Sequence, residues 1–222
     1  MQPFQRAFVD LLVTYEVIRF GSFTLKSGRV SPYFVNAGQL RTGRAISGVG
    51  DAYAAALERE RVPCDLVFGP AYKGVPLAVA TATALSNEQR DVPYGFDRKE
   101  VKDHGEGGKF VGTAPAAGMR VVLVDDVITS GASLREAAGW MRDIDGVEVS
   151  AAVVAVDRQE RGRGEKTTLQ ELRDDLGIHV IPIVTIREVV EYLHGREIGG
   201  KVVLDDAHRD AIESYLATHG AA

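Results

Sequence analysis

The residues best suited to chemistry lie in one run, Val121–Ser133, which reads VVLVDDVITSGAS. Val121–Val124 has the character of a fully buried strand. Asp125 and Asp126 stand at its end, and Thr129, Ser130, Gly131, Ala132 and Ser133 turn into a helix that continues through Trp140. At such a strand-to-helix turn the freed backbone N–H groups and small hydroxyls cradle a phosphate, assisted by the helix dipole. Gly131 lets the backbone come close. The carboxylates repel a phosphate but suit what lies beside it, namely sugar hydroxyls that donate hydrogen bonds and a Mg²⁺ that takes hard oxygen ligands. Phosphate, diol and metal together describe a ribose 5-phosphate. The plainer alternative is an acidic strand end followed by an ordinary helix cap.

The elements that must hold this run are legible on either side. From Gln2 to about Ile18, Phe4, Phe8, Leu11, Leu12 and Tyr15 recur at helical spacing. Ser22–Asn36 holds β-prone pieces on both sides of Lys26-Ser27-Gly28-Arg29, a hairpin turn by composition. A helix is predicted over Thr42–Glu60. Strands at 65–68, 121–124, 149–156 and 179–184 alternate with helical segments, one of them Ala-rich and ending near Ser86. Alternating strands and helices imply an α/β fold with a mostly parallel central sheet flanked by helices, whose ligands gather at the carboxyl ends of strands. Residues 98–112 lack a sustained period and hold Gly105, Gly107, Gly108 and Gly112, which predicts a long mobile loop. Asp205 is placed to cap a closing helix that runs to about Thr218.

Composition narrows the class. The 222 residues suit one α/β domain, and 45% hydrophobic with 26% charged residues is an ordinary globular balance. No apolar run approaches the ~20 residues that span a bilayer, so no membrane partner is expected. The formal charge of −5 argues against nucleic-acid binding through bulk positive charge. Cys64 is the only cysteine, which excludes an intrachain disulfide framework, and the opening MQPFQRAFVD lacks the pattern of a secretory signal. The expectation is a cytoplasmic protein. His179, His194, His208 and His219 fit no metal spacing. Gly162–Thr167 fails as a Walker A loop because Glu165 stands where its lysine belongs.

Val121–Ser133 resembles the phosphoribosyl pyrophosphate (PRPP) signature of the type I phosphoribosyltransferases. FGSFTLKSGRVSPYFVNAG (Phe20–Gly38), FGPAYKG (Phe68–Gly74), FDRKEVKDHGEGG (Phe96–Gly108) and DRQERGRGE (Asp157–Glu165) are similar, in order, to blocks of the orotate phosphoribosyltransferase family. The resemblance implies one phosphoribosyltransferase domain over 1–222. In it, residues 1–40 and the C-terminal segment form a hood of helix and hairpin, and 96–112 form the active-site loop. It implies Mg²⁺-dependent transfer of ribose 5-phosphate from PRPP to orotate, giving orotidine 5′-monophosphate and pyrophosphate in pyrimidine (UMP) biosynthesis. It also implies a homodimer in which loop 96–112 reaches the partner's site. A non-catalytic PRPP-sensing regulator, or an enzyme for another base, is the alternative.

Carried over by the resemblance, Tyr72 and Lys73 belong to the pyrophosphate-binding loop, and Arg98, Lys99, Lys102 and His104 are the loop cations for the diphosphate. Asp125, Asp126, Val127, Ile128, Thr129, Ser130, Gly131, Ala132 and Ser133 hold the ribose phosphate. Lys26, Phe34, Val35, Thr129 and Arg158 contact orotate, with Lys26 also on the PRPP side. Lys102, Asp125 and Asp126 are the catalytic candidates. Mg²⁺ is expected to be held mainly by the substrate's diphosphate and ribose hydroxyls, with Asp125 and Asp126 nearby. Val35 stands where the family has a second aromatic. The bland alternatives are solvated lysines, a core-facing Tyr72 and a surface Arg158.

Overall fold

A computed structural model describes residues 1–25, 28–99, 108–128 and 131–221; Lys26, Lys102, His104, Thr129 and Ser130 fall outside the described residues. Helix α1 (Pro3–Thr14) starts with proline at its first position, where the missing N–H has no intrahelical partner to lose, and Gln2 N–H donates to Gln5 Oε1 at 2.8 Å. It stops four residues short of the expected Ile18. Glu16 takes a φ of 54°, and Ile18 opens strand β1 (Ile18–Thr24). Val17 and Ile18 are both 2% exposed, and apolar residues buried in extended backbone look the same in sequence as a continuing helix face. β1 pairs antiparallel with β2 (Val30–Val35), the hairpin read from the turn residues between them.

Helix α2 (Gly43–Arg59) lies between the expected ends, with Thr42 Oγ1 accepting from Ala45 N–H at 3.2 Å. Then come β3 (Leu66–Phe68), α3 (Gly74–Leu85), β4 (Tyr94–Asp97), β5 (Phe110–Gly112), β6 (Arg120–Val127), α4 (Ala132–Arg142), β7 (Glu148–Asp157), α5 (Thr168–Leu176), β8 (His179–Thr185) and α6 (Ile186–Leu193). A small ribbon, β9 (Glu197–Ile198) with β10 (Lys201–Val202), precedes α7 (Asp206–His219). Asp205 caps α7 as expected, accepting from His208 N–H at 2.9 Å. No helix among the described residues is long and apolar enough to cross a membrane.

The main sheet runs β5–β4–β3–β6–β7–β8, parallel throughout except for β5, which is antiparallel to β4. Both faces are covered. Val122 and Val124 of β6 join the core beneath α1, α2, α3, α6 and α7, whereas Val121 and Leu123 face α4 and α5. This two-sided burial explains the unbroken apolar run, and each such side chain contributes about 1.5–3 kcal/mol. β6 is longer than the sequence suggests: Asp125 pairs with Val154 and Val127 with Val156, so the two carboxylates belong to the strand rather than following it.

The chain leaves β3 toward β4 and leaves β6 toward β7, on opposite sides. The order therefore reverses between β3 and β6, and a crevice opens at their carboxyl ends. On one flank of the sheet, Tyr215 of α7 meets Tyr33 of β2 edge-on at 6.1 Å, which ties the last helix to the first hairpin.

Candidate active site

The turn after β3 forms one wall of the crevice. Gly69 is required there, because a Cβ would overlap the Gly74 carbonyl. The Ala71–Tyr72 peptide is cis. Ala71 N–H donates to Asp97 Oδ1 at 2.6 Å, so the end of β4 anchors the turn. Tyr72 is 75% exposed, which removes the core-facing alternative. Lys73 Nζ reaches across to Asp126 Oδ2 at 2.7 Å.

The opposite wall is the end of β6. Asp125 and Asp126 are both buried. Ser133 Oγ donates to Asp125 Oδ2 at 2.6 Å, Asp126 N–H donates to Asp125 Oδ1 at 2.9 Å, and the Tyr53 hydroxyl donates to the Asp125 carbonyl at 2.7 Å. Burial pushes the Asp125 carboxyl above its ordinary value, and the Ser133 hydroxyl works against that rise. Gly131 enters α4 with a φ of 68°, the left-handed conformation that glycine adopts without strain, and a Cβ there would sit 2.8 Å from Leu172. Pro70–Lys73, Asp125–Ile128 and Gly131–Ser133 together enclose a cavity of 270 Å³.

A second cavity of 540 Å³ adjoins the first and shares Lys73, Val127 and Ile128 with it. Phe34, Val35 and Arg158 all line it. Phe34 is braced by Phe23, ring on ring at 5.6 Å and 27°. Arg158 is not a surface residue: its side chain is 12% exposed, and its guanidinium lies 4.6 Å from the centre of the Tyr33 ring. Burial works against the Arg158 charge, but Tyr33 and Glu160 hold its pKa above the ordinary value.

Twelve of the expected site residues thus line these two cavities: Phe34, Val35, Tyr72, Lys73, Asp125, Asp126, Val127, Ile128, Gly131, Ala132, Ser133 and Arg158. Arg98 and Lys99 line neither. They sit where β4 ends, with Arg98 N–H donating to the Lys109 carbonyl at 2.8 Å and Lys109 Nζ lying 3.5 Å from the Trp140 ring centre. Lys26, Lys102, His104, Thr129 and Ser130 lie outside the described residues. Sequence reasoning missed Asp97, Arg29 and Glu160, although each stands inside a block that carried the resemblance. Among the described residues, no cluster of three or more His, Cys, Asp or Glu side chains could hold a metal by itself.

Residues 37–181 match the model of the phosphoribosyl transferase domain. The chain is 50% identical over 223 residues to an orotate phosphoribosyltransferase of Halorhodospira halophila, with the whole of both chains covered. It is 48% identical to one of Pseudomonas putida, covering 99% of this chain and all of that protein. The crystal structure of a Francisella tularensis orotate phosphoribosyltransferase superposes with a TM-score of 0.82 at 34% identity, covering 97% of this chain and 100% of the other.

Proposed function

The chain belongs to the orotate phosphoribosyltransferase family, and from that premise we propose that its two adjoining cavities bring PRPP and orotate together for transfer of ribose 5-phosphate. The observation that carries this reading is the shared wall. Lys73, Val127 and Ile128 face both cavities, so a sugar held in one presents its anomeric carbon to a ring held in the other.

The acidic cavity suits the ribose phosphate, with the turn into α4 for the phosphate and Asp125 and Asp126 for the diol. Ser133 and the Asp126 N–H hold the Asp125 carboxylate in one orientation before substrate arrives. When the bond between the anomeric carbon and the diphosphate oxygen breaks, positive charge appears on the sugar ring, and the two carboxylates lie on its stabilising side. A ring nitrogen of orotate then bonds the carbon as its proton is lost to solvent, and pyrophosphate leaves with the electron pair of the broken C–O bond. No nucleophilic side chain is required.

Lys73 and the loop cations Arg98, Lys99, Lys102 and His104 are assigned to the departing charge. The second cavity suits a flat, mono-anionic ring: Phe34 offers a face, and Arg158 offers a fork for a carboxylate. Among the described residues, two carboxylates with no third protein ligand beside them fit a Mg²⁺ that keeps substrate oxygens and water in its shell. When bound, Mg²⁺ supplies charge neutralisation for the diphosphate.

We place the protein in the cytoplasm as a homodimer whose loops cross between subunits. Val79 is 37% exposed on α3, a helix apolar on nearly every side, and this supports a partner covering that face. Incubation with PRPP, Mg²⁺ and separate bases, followed by pyrophosphate release, tests the function. Release with orotate alone is the expected result, and release with a purine or with no base would overturn it.

A further inference from the structure

Glu160 sits at the back of the second cavity, and three side chains converge on it. Arg158 Nε and Nη2 both donate to Oε1, at 2.8 and 2.6 Å; Arg29 Nη2 donates to Oε2 at 3.0 Å; the Tyr33 hydroxyl donates to Oε1 at 3.1 Å. The carboxylate is 10% exposed and Arg158 12%, so neither charge is well solvated. A buried guanidinium without a partner is costly, and one held on a single edge by a carboxylate has its plane fixed. The Tyr33 ring, 4.6 Å away, limits the same plane from another direction.

The backbone beneath Glu160 is held as well. Ala221 N–H donates to the Gln159 carbonyl at 3.1 Å and Arg161 N–H donates to the His219 carbonyl at 2.9 Å, so the end of the chain straps residues 159–161 in place. The anchor is therefore fixed independently of whatever enters the cavity.

We propose that Glu160 is the positioning residue of the base cavity, acting on the base through Arg158. Two guanidinium groups around one carboxylate leave this trio with one net positive charge, matched to a ring that carries one carboxylate. Both Glu160 oxygens are already engaged, by Arg158, Arg29 and Tyr33, so its effect on the base passes through Arg158. It fixes the plane of the Arg158 guanidinium, whose Nη2 also lies 3.4 Å from Ser31 Oγ, and prevents two like charges, Arg29 and Arg158, from driving each other apart.

The proposal rests on the assignment of orotate to this cavity, and a mutant cycle separates the two. Steady-state kcat and KM are measured for wild type, Glu160→Gln, Arg158→Ala and the double variant, with thermal midpoints for each. Wild-type transfer to orotate tests the assignment itself. Glu160→Gln is expected to raise KM for orotate at least tenfold while changing KM for PRPP less than twofold. In the Arg158→Ala background the same change should cost less than twofold, because its effect passes through the missing side chain. Glu160→Asp, which keeps the charge but is one methylene shorter, should recover part of the loss. The same factor in both backgrounds, equal damage to PRPP, or a Glu160→Gln protein that does not fold would overturn the proposal.

Discussion

Lys73 Nζ donates to Asp126 Oδ2 at 2.7 Å, so the cation assigned to the departing diphosphate and a carboxylate assigned to the ribose are paired with each other. The two halves of the pair differ in freedom: the lysine side chain is 61% exposed and the aspartate 9%. The lysine is thus the half that can swing to a diphosphate, on a flexible stem, while Asp126 stays fixed in its strand. Binding of a polyanion would break the pair and release the carboxylate to the ribose hydroxyls at the same moment.

Asp126→Asn tests the division between fold and chemistry. The thermal midpoint without ligand should stay within about 3 °C of wild type, which is ~1 kcal/mol for a domain of this size. Turnover should fall at least tenfold, about 1.4 kcal/mol of barrier. A variant that melts early yet keeps wild-type turnover per folded molecule would assign Asp126 to the fold.

Asp125 gives a prediction in pH. Burial raises its folded pKa above the ordinary value, so the folded state binds the proton more tightly than the unfolded chain does. A raised carboxyl contributes stability that is present below the unfolded pKa and is lost as pH rises through the folded one. Asp157 is shifted the same way, also by burial. Asp125→Asn removes the charge and should therefore match or exceed the wild-type midpoint at pH 7, with the difference shrinking as pH approaches 4. Its turnover should nevertheless drop at least tenfold. A midpoint that falls at pH 7 and recovers in acid would have the opposite sign and would refute the assignment of the shift to burial.

Gly131→Ala should lower both stability and affinity for PRPP. The left-handed φ costs an alanine ~1–2 kcal/mol, and its Cβ would press on Leu172. The expected readings are a midpoint lower by several degrees and a KM for PRPP raised severalfold, with KM for orotate little changed. An unchanged midpoint would show that the turn relaxes without strain.

Much of this site was legible because its residues are close in sequence. Asp125, Asp126, Gly131 and Ser133 lie within one strand and turn, and the apolar run before them places them at the carboxyl end of a buried strand. The hairpin, the Asp205 cap and the long helix α2 follow from local rules in the same way. What stayed hidden are partnerships across the chain. Arg29 and Glu160 meet only because α7 packs on β2 while its end is bridged to the residues after β7, and Lys73 meets Asp126 only because β3 and β6 are neighbours in the sheet. The end of α1 is not marked in the sequence because Val17 and Ile18, buried in extended backbone, continue the apolar character of the helix.

Arg158→Ala separates the two substrates. Loss of a charged hydrogen bond to a carboxylate should cost roughly 1.5–3 kcal/mol in kcat/KM for orotate and leave KM for PRPP nearly unchanged. Equal damage to both would move Arg158 out of the base cavity's chemistry and into its support.

The proposed dimer makes the strongest claim about the loop. Arg98 and Lys99, at its near stem, line neither cavity of their own chain, while Lys109 at its far stem is held against Trp140. A loop serving the partner's site accounts for this placement; a loop folding back would have to bring the same cations to its own Asp126. Mixing chains decides between them. Lys102→Ala and Asp126→Asn proteins, each nearly inactive, are unfolded together in equal amounts and refolded, so that random pairing makes about half the dimers hybrids. With crossed loops, one site of each hybrid carries both substitutions and the other carries neither, and roughly a quarter of all sites regain wild-type composition. With loops confined to their own chain, every site keeps one lesion. Activity recovering to near a quarter of wild type supports crossed loops, whereas activity no greater than the parents', with hybrids confirmed by mass, places each loop on its own site.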